Sequence, residues 1–138
     1  MPANAALYLP CEQINLRDIF GSSVSSQKDG ECFELLFVND LTTYNIMPKA
    51  DIDEHISGFI NYLSSLNEEK DRIQDAIEVI KHTKMVLGLF AEKEFDENPK
   101  IWGSLFKIAD KYNGYVFVYE SLLLPNGGVI LGSLRETT

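Results

Sequence analysis

The sequence is poor in the residues that mark several classes of site. It holds 2 cysteines, Cys11 and Cys32, without CxxC spacing or a nearby histidine cluster. We therefore predict buried thiols in a reducing compartment, and neither a disulfide framework nor a redox motif. The 2 histidines, His55 and His82, fall in different predicted helices and lack the spacing of metal ligands.

Basic residues are also scarce, with 12 Lys and Arg against 21 Asp and Glu and a formal charge of −9. Nucleic acid is disfavoured, because phosphate binding depends on clustered Lys and Arg. An anionic membrane surface is disfavoured for the same reason. The charge favours a basic protein partner or bound cations.

Long apolar runs are missing, since none approaches the roughly 20 residues that span a bilayer. The first residues, "MPANAALYLP", have no basic segment followed by an apolar core, so we predict no signal peptide and a cytoplasmic protein. Catalytic signatures are missing too. The stretch "PNGGVILG" matches neither phosphate-binding glycine motif, and no serine stands in a G-x-S-x-G setting. We expect no cofactor, no metal site and no catalytic residue, which favours a protein that is not an enzyme.

What is present predicts an α/β (or α+β) fold in a single domain over residues 1–138. The expected architecture is a mixed sheet of about five or six strands with three main helices. Strands are predicted at Ala5–Leu9, Cys32–Val38, Thr42–Met47, Met85–Ala91 and Tyr115–Tyr119. Residues 21–30, "GSSVSSQKDG", are predicted to form a polar connection, and residues 133–138 a frayed tail.

Three helices carry recognisable signals. Asp51 and Glu54 have the spacing of a capping box, ahead of apolar residues at helical intervals. A second helix is predicted over Glu68–His82. In the third, Asn98 is the expected N-cap and Pro99 the first helical residue, with an end at Asn113–Gly114.

The helix after Asn98 joins two strands that are apolar on both faces. This predicts a β-α-β unit in which Met85–Ala91 and Tyr115–Tyr119 lie side by side and parallel. A C-terminal β-hairpin should follow, turning at Pro125–Gly128.

Carboxylates cluster where the first of these strands ends: Glu92, Glu94, Asp96 and Glu97, with Glu120 at the end of the second strand. Ligands gather at the carboxyl ends of parallel strands, so Glu120 is expected near Glu92 or Glu94. Such a group can cap a helix in solvent, contact a basic partner, hold a divalent cation, or share acid and base work. We rank the helix-capping loop first, the partner-binding surface second and the reaction centre third. Asp51, Asp53 and Glu54 form a second acidic cluster.

At "DIDEHISGFINYLSSL", and over residues 80–131, the chain resembles small bacterial α/β proteins of uncharacterised function. The pattern is a helix, a "VLGL" strand, an acidic turn, a helix and a "GYVFVYESLLLPNGG" segment. The resemblance carries no catalytic motif, so it transfers no functional residue. In size and charge the chain also resembles immunity proteins that neutralise basic nuclease toxins.

The sequence therefore favours a non-catalytic acidic binding protein, with an immunity-type inhibitor of a basic toxin as its most concrete form. The predicted contacts are Glu92, Glu94, Asp96, Glu97 and Glu120. One alternative is a small enzyme or ligand-binding domain with a carboxylate-lined pocket at the carboxyl ends of the strands. Another is a structural homodimer.

Overall fold

One antiparallel sheet of eight strands organises the computed structural model, which describes residues 3–28 and 31–132. The strands are β1 (Ala3–Leu9), β2 (Val24–Lys28), β3 (Cys32–Phe37), β4 (Asp40–Ile46), β5 (Met85–Ala91), β6 (Tyr115–Val118), β7 (Ser121–Leu123) and β8 (Val129–Leu131). The helices are α1 (Arg17–Phe20), α2 (Lys49–Ser64), α3 (Lys70–Ile80) and α4 (Pro99–Tyr112), with a 3-10 turn at Gly21–Ser23. The strand order is β2-β3-β4-β5-β1-β6-β7-β8. The predicted frayed tail at 133–138 lies outside the described residues.

Helices cover both faces of the sheet and give a mixed α+β domain of three layers. On one face, the α4 residues Ile101, Leu105 and Ile108 pack with buried residues of β1 to β6, and α1 adds to the same layer. On the other face, α2 and α3 pack on β1, β5 and β6 to β8. This second layer leaves the same face of β3 and β4 open, and Leu36 and Leu41 are exposed there.

The predicted count of strands and helices is too low. Residues 24–28 form an edge strand where a polar connection was predicted, while residues 29 and 30 of that segment lie outside the described residues. The pairing with β3 overrides the weak strand propensity of "VSSQK". The fourth helix is the short α1, in the segment "INLRDIFG", where apolar periodicity left a short helix ending at Gly21 and a strand both open.

The prediction that β5 and β6 are neighbours in a mixed sheet is wrong. Strand β1 lies between them and pairs antiparallel with both, for example through Leu7, which is opposite Leu87 on one side and Val116 on the other. The two outer strands therefore run in the same direction without pairing, and every neighbouring pair in the sheet is antiparallel. Leu7, Tyr8 and Leu9 are all buried, as expected of a central strand covered on both faces.

Of the predicted helix ends, the start of α2 differs from the structure and both ends of α4 agree with it. The capping box is wrong, because α2 begins at Lys49 after Pro48, and no side chain caps it. The backbone N–H of Asp51 already bonds to Pro48 O at 2.9 Å, so Asp51 lies within the first turn. The predictions for α4 are confirmed: Asn98 is the N-cap, Pro99 is the first residue, and Asn113 ends the helix in the left-handed region.

Two hairpins follow β6. The predicted C-terminal hairpin is confirmed, since β7 and β8 are antiparallel and Leu124 N bonds to Gly128 O at 2.7 Å. The other hairpin was not predicted. Val118 pairs with Ser121, so Tyr119 and Glu120 form a two-residue turn and Tyr119 is not part of the strand.

Candidate functional site

Three connections meet at one end of the sheet. The pairing of Phe37 with Asp40 places the β3–β4 turn at the end where β5 stops, because Thr42 is opposite Ala91. Strand β6 runs in the same direction as β5, so the β6–β7 turn lies at this end as well. The acidic segment between β5 and α4 is the third connection.

Exposed apolar side chains are concentrated at this end. Seven large apolar residues are exposed among the described residues, and five of them lie here: Leu36, Val38, Leu41, Phe90 and Tyr119. We call these five residues, together with Glu92, Glu94, Asp96, Glu97 and Glu120, the acidic end surface. A cluster of exposed apolar residues flanked by charge is typical of a protein-binding site.

A depression of about 350 Å³ lies within the acidic end surface. Its apolar lining comes from Leu41 and Phe90, whose side chains are 48% and 49% exposed. Asp40, Glu92 and Lys93 supply the charged part of the lining. The depression can therefore hold an apolar side chain next to a charged one.

The acidic segment is tied down by Asn98, which is buried. Its Nδ2 donates to Phe37 O at 3.1 Å and to Asp40 Oδ2 at 2.9 Å. Its Oδ1 accepts from Lys100 N at 3.2 Å, which is the capping bond of α4. One side chain thus joins the β3–β4 turn to the start of α4 and fixes the end of the acidic segment.

The four carboxylates of this segment have different environments. Glu97 closes the loop on itself, because its Oε1 accepts from Glu94 N at 3.1 Å. Its Oε2 lies 3.9 Å from Lys93 Nζ, an exposed ion pair that contributes little to stability. Glu92 and Asp96 are exposed and Glu94 is half-buried. The loop thus presents carboxylates to solvent, and the capping bond of α4 comes from the next residue, Asn98.

Tyr119 connects the β6–β7 turn to the acidic segment. Its ring lies 5.9 Å from the ring of Phe95 and 6.2 Å from that of Trp102. Partial burial raises the pKa of Tyr119, and the negative charges of Glu94 and Asp96 raise it further. The two segments come together through this ring, although β1 separates their strands. Glu120, the next residue, is exposed in the turn.

The turns that carry the exposed side chains have unusual backbone. Val38 has φ 62°, Tyr119 has φ 49° and Glu120 has φ 57°, all in the left-handed region. This region costs a β-branched or bulky residue about 1–2 kcal/mol. Strain of this kind is retained at functional sites more often than elsewhere.

Other predicted features lie apart from this end. Asp51 and Glu54 face a cleft beside α2, and Asp53 is exposed on the same helix. Within residues 3–28 and 31–132, no group of three or more His, Cys, Asp or Glu is placed to hold a metal ion. In the same part of the chain, no helix combines the length and apolar character needed to cross a membrane.

Sequence reasoning found the acidic residues of this surface and missed its apolar ones. Phe90 was assigned to a strand buried on both faces, but the open face of the sheet leaves it half in solvent. Leu41 carries no local signal, since only the pairing of β4 with β5 brings it beside Phe90. No family model matches the chain, and no curated protein or solved structure is significantly similar to it.

Proposed function

We propose that this chain is a non-catalytic binding protein that holds a basic protein partner on its acidic end surface. The observation that carries the proposal is the depression lined by the exposed apolar side chains Leu41 and Phe90 beside Glu92, at the end of the sheet that carries further exposed apolar residues. An inhibitor of a basic toxin is one form of this function.

The arrangement fits what is known of interface energetics. A few apolar or aromatic residues that become fully desolvated supply most of the affinity, and Phe90, Leu41 and Tyr119 are suited to this role. The charged residues around them act mainly on the rate and specificity of association. The only cation in the acidic segment, Lys93, is paired with Glu97, so the field of the segment stays negative.

Charge also argues for a different chain as the partner. Two copies meeting through this surface would bring their carboxylates together, in chains that each carry −9. Like charges in contact cost several kcal/mol. The β2 edge of the sheet offers little to a second copy, because β2 is short, carries Lys28 and contains a register shift against β3.

A matched capture experiment tests the proposal. Wild-type protein, a Leu41→Ser/Phe90→Ser variant and a Leu124→Ser/Tyr62→Ser variant are immobilised and exposed to lysate of the source cells. Among residues 3–28 and 31–132, Leu124 and Tyr62 are the two exposed large apolar residues outside the acidic end surface. We expect a basic protein to be retained by the wild type and by the control variant and lost from the Leu41/Phe90 variant.

Purified partner then allows the charge contribution to be measured. Glu92→Gln/Glu94→Gln should slow association at low salt and have little effect at high salt. Asp75→Asn/Asp110→Asn, which removes two exposed charges from α3 and α4, should change association much less. The proposal is wrong if every retained protein binds the Leu41/Phe90 variant as tightly as it binds the wild type.

A further inference from the structure

A cleft of about 610 Å³ lies between the start of α2 and the open part of the sheet. Its volume falls in the range of small-molecule sites. It shares no lining residue with the depression at Leu41 and Phe90, so it is separate from the acidic end surface.

The floor of the cleft is formed by residues of three neighbouring strands, with a glycine at its centre. Gly88 of β5 is opposite Asn45 of β4 on one side and Ala6 of β1 on the other. A glycine inside a strand is costly and often marks the close approach of a ligand. A Cβ added to Gly88 would have no heavy atom within 4 Å, so the missing side chain leaves open space above the sheet. Since strands lie about 4.8 Å apart, this floor is roughly 10 Å long.

The wall formed by α2 is polar and has a fixed histidine. His55 Nε2 lies 3.0 Å from the hydroxyl of Tyr8, and the Tyr8 side chain is buried below it. The two rings are stacked with centroids 5.8 Å apart, and Phe59 stacks on Tyr8 at 4.8 Å. This contact holds the imidazole at the cleft as a positioned polar group.

The charges of the lining are all negative. Asp51 and Glu54 lie on the α2 side, and no Lys or Arg is among the lining residues. Lys49, the first residue of α2, lines the neighbouring cleft instead. The remaining lining is mostly apolar, including Met47 and Val86. An anion would meet two carboxylates here, whereas an amine would be attracted by them.

We propose that this cleft is a binding site for a small organic cation with a flat apolar body, such as an aromatic amine. The ring lies on the floor formed by Asn45, Gly88 and Ala6. The ammonium group points to Asp51 and Glu54, and the fixed ring of His55 limits the orientation of the ligand. This site does not depend on the function proposed for the acidic end surface.

Three probes of similar size and different charge test the proposal: benzylamine, benzyl alcohol and benzoate. Each is titrated into the isotopically labelled protein at low salt while its NMR spectrum is recorded. We expect benzylamine to bind tightest and benzoate weakest, with saturable shifts of the Gly88 amide and the Ala6 methyl group. Equal binding of benzoate, or benzylamine shifts that spare Gly88 and Ala6, would overturn the proposal.

Two variants locate the site. Gly88→Val fills the floor and should weaken benzylamine binding at least tenfold, while Gly58→Ala, which also enters open space on α2, should leave it unchanged. Asp51→Asn/Glu54→Gln should reduce the preference for benzylamine over benzyl alcohol at least threefold without filling the cleft. Urea unfolding confirms that each variant is folded, and unchanged benzylamine affinity in both the Gly88 and the Asp51/Glu54 variants refutes the assignment.

Discussion

Val38 offers a test in which stability and binding are expected to change in opposite directions. It is the first residue of the two-residue β3–β4 turn, has φ 62° and is 69% exposed. Glycine is the residue that such a hairpin turn favours at this position. Val38→Gly should therefore stabilise the fold while it removes an apolar side chain from the acidic end surface.

The expected change in the free energy of unfolding is the sum of opposing contributions. Relief of a left-handed conformation in a residue with a Cβ gains about 1–2 kcal/mol. The greater conformational freedom of glycine in the unfolded chain lowers the free energy of unfolding by about 0.5–1 kcal/mol. Little buried surface is lost, because the side chain is mostly in solvent. We expect a net gain of about 1 kcal/mol, equivalent to roughly 4 °C in Tm for a domain of this size.

Urea unfolding monitored by circular dichroism measures the change, since the midpoint should rise without a change in slope. Val129→Gly is the matched control. It makes the same substitution in β8, where φ is not positive, and should lower stability by at least about 1 kcal/mol. The reasoning about strain is refuted if Val38→Gly leaves the midpoint unchanged or lowers it. If Val38→Gly is more stable and still captures the basic partner as well as the wild type does, Val38 is not part of the binding surface.

Three further changes test the packing around this end. Thr42→Val should raise stability by about 1 kcal/mol in urea unfolding, because the buried Thr42 Oγ1 has no hydrogen-bond partner among the described residues. Asn98→Ala should lower it by about 2–3 kcal/mol, since the helix cap and the bonds to Phe37 and Asp40 are lost together. Burial raises the pKa of Tyr44 above its ordinary value near 10, so the folded state holds this proton more tightly than the unfolded state does. Its contribution to stability is complete below pH 10 and falls above it by about 1.4 kcal/mol per pH unit, and Tyr44→Phe should flatten the measured decline.

Local signals in the sequence predicted several elements well. Met85–Ala91 is apolar at every position except Gly88 and forms β5 with the predicted bounds. Asn98 and Pro99 predicted the start of α4, because capping depends on residues that are adjacent in the chain. The Pro125–Gly128 turn was found for the same reason.

The order of the strands could not be predicted from local signals, because it depends on contacts between distant parts of the chain. Strand β1 pairs with residues more than 75 positions away, and nothing in "ANAALYL" indicates which strands it joins. Its insertion between β5 and β6 changed a predicted parallel pair into an antiparallel sheet. The β6–β7 turn was missed because Tyr119 and Glu120 are not residues that favour positive φ.

The candidate site likewise combines residues that local patterns predict with residues that only the folded chain brings together. Its acidic residues form a run in the sequence, from Glu92 to Glu97, and were found as a group. Three of its apolar residues, Leu36, Leu41 and Phe90, come from β3, β4 and β5 and are exposed where α2 and α3 stop covering the sheet, whereas Val38 and Tyr119 lie in turns. Sequence periodicity predicts that an apolar residue in a strand is buried, and it does not show where a covering layer ends.

Hydrogen exchange of the complex with the captured basic protein tests the central claim most directly. Amide protection in the bound and free states is compared by mass spectrometry at low salt. We expect new protection in residues 36–42, 89–97 and 118–121, which form the acidic end surface. New protection confined to α2 and α3, with these three segments unchanged, would contradict it.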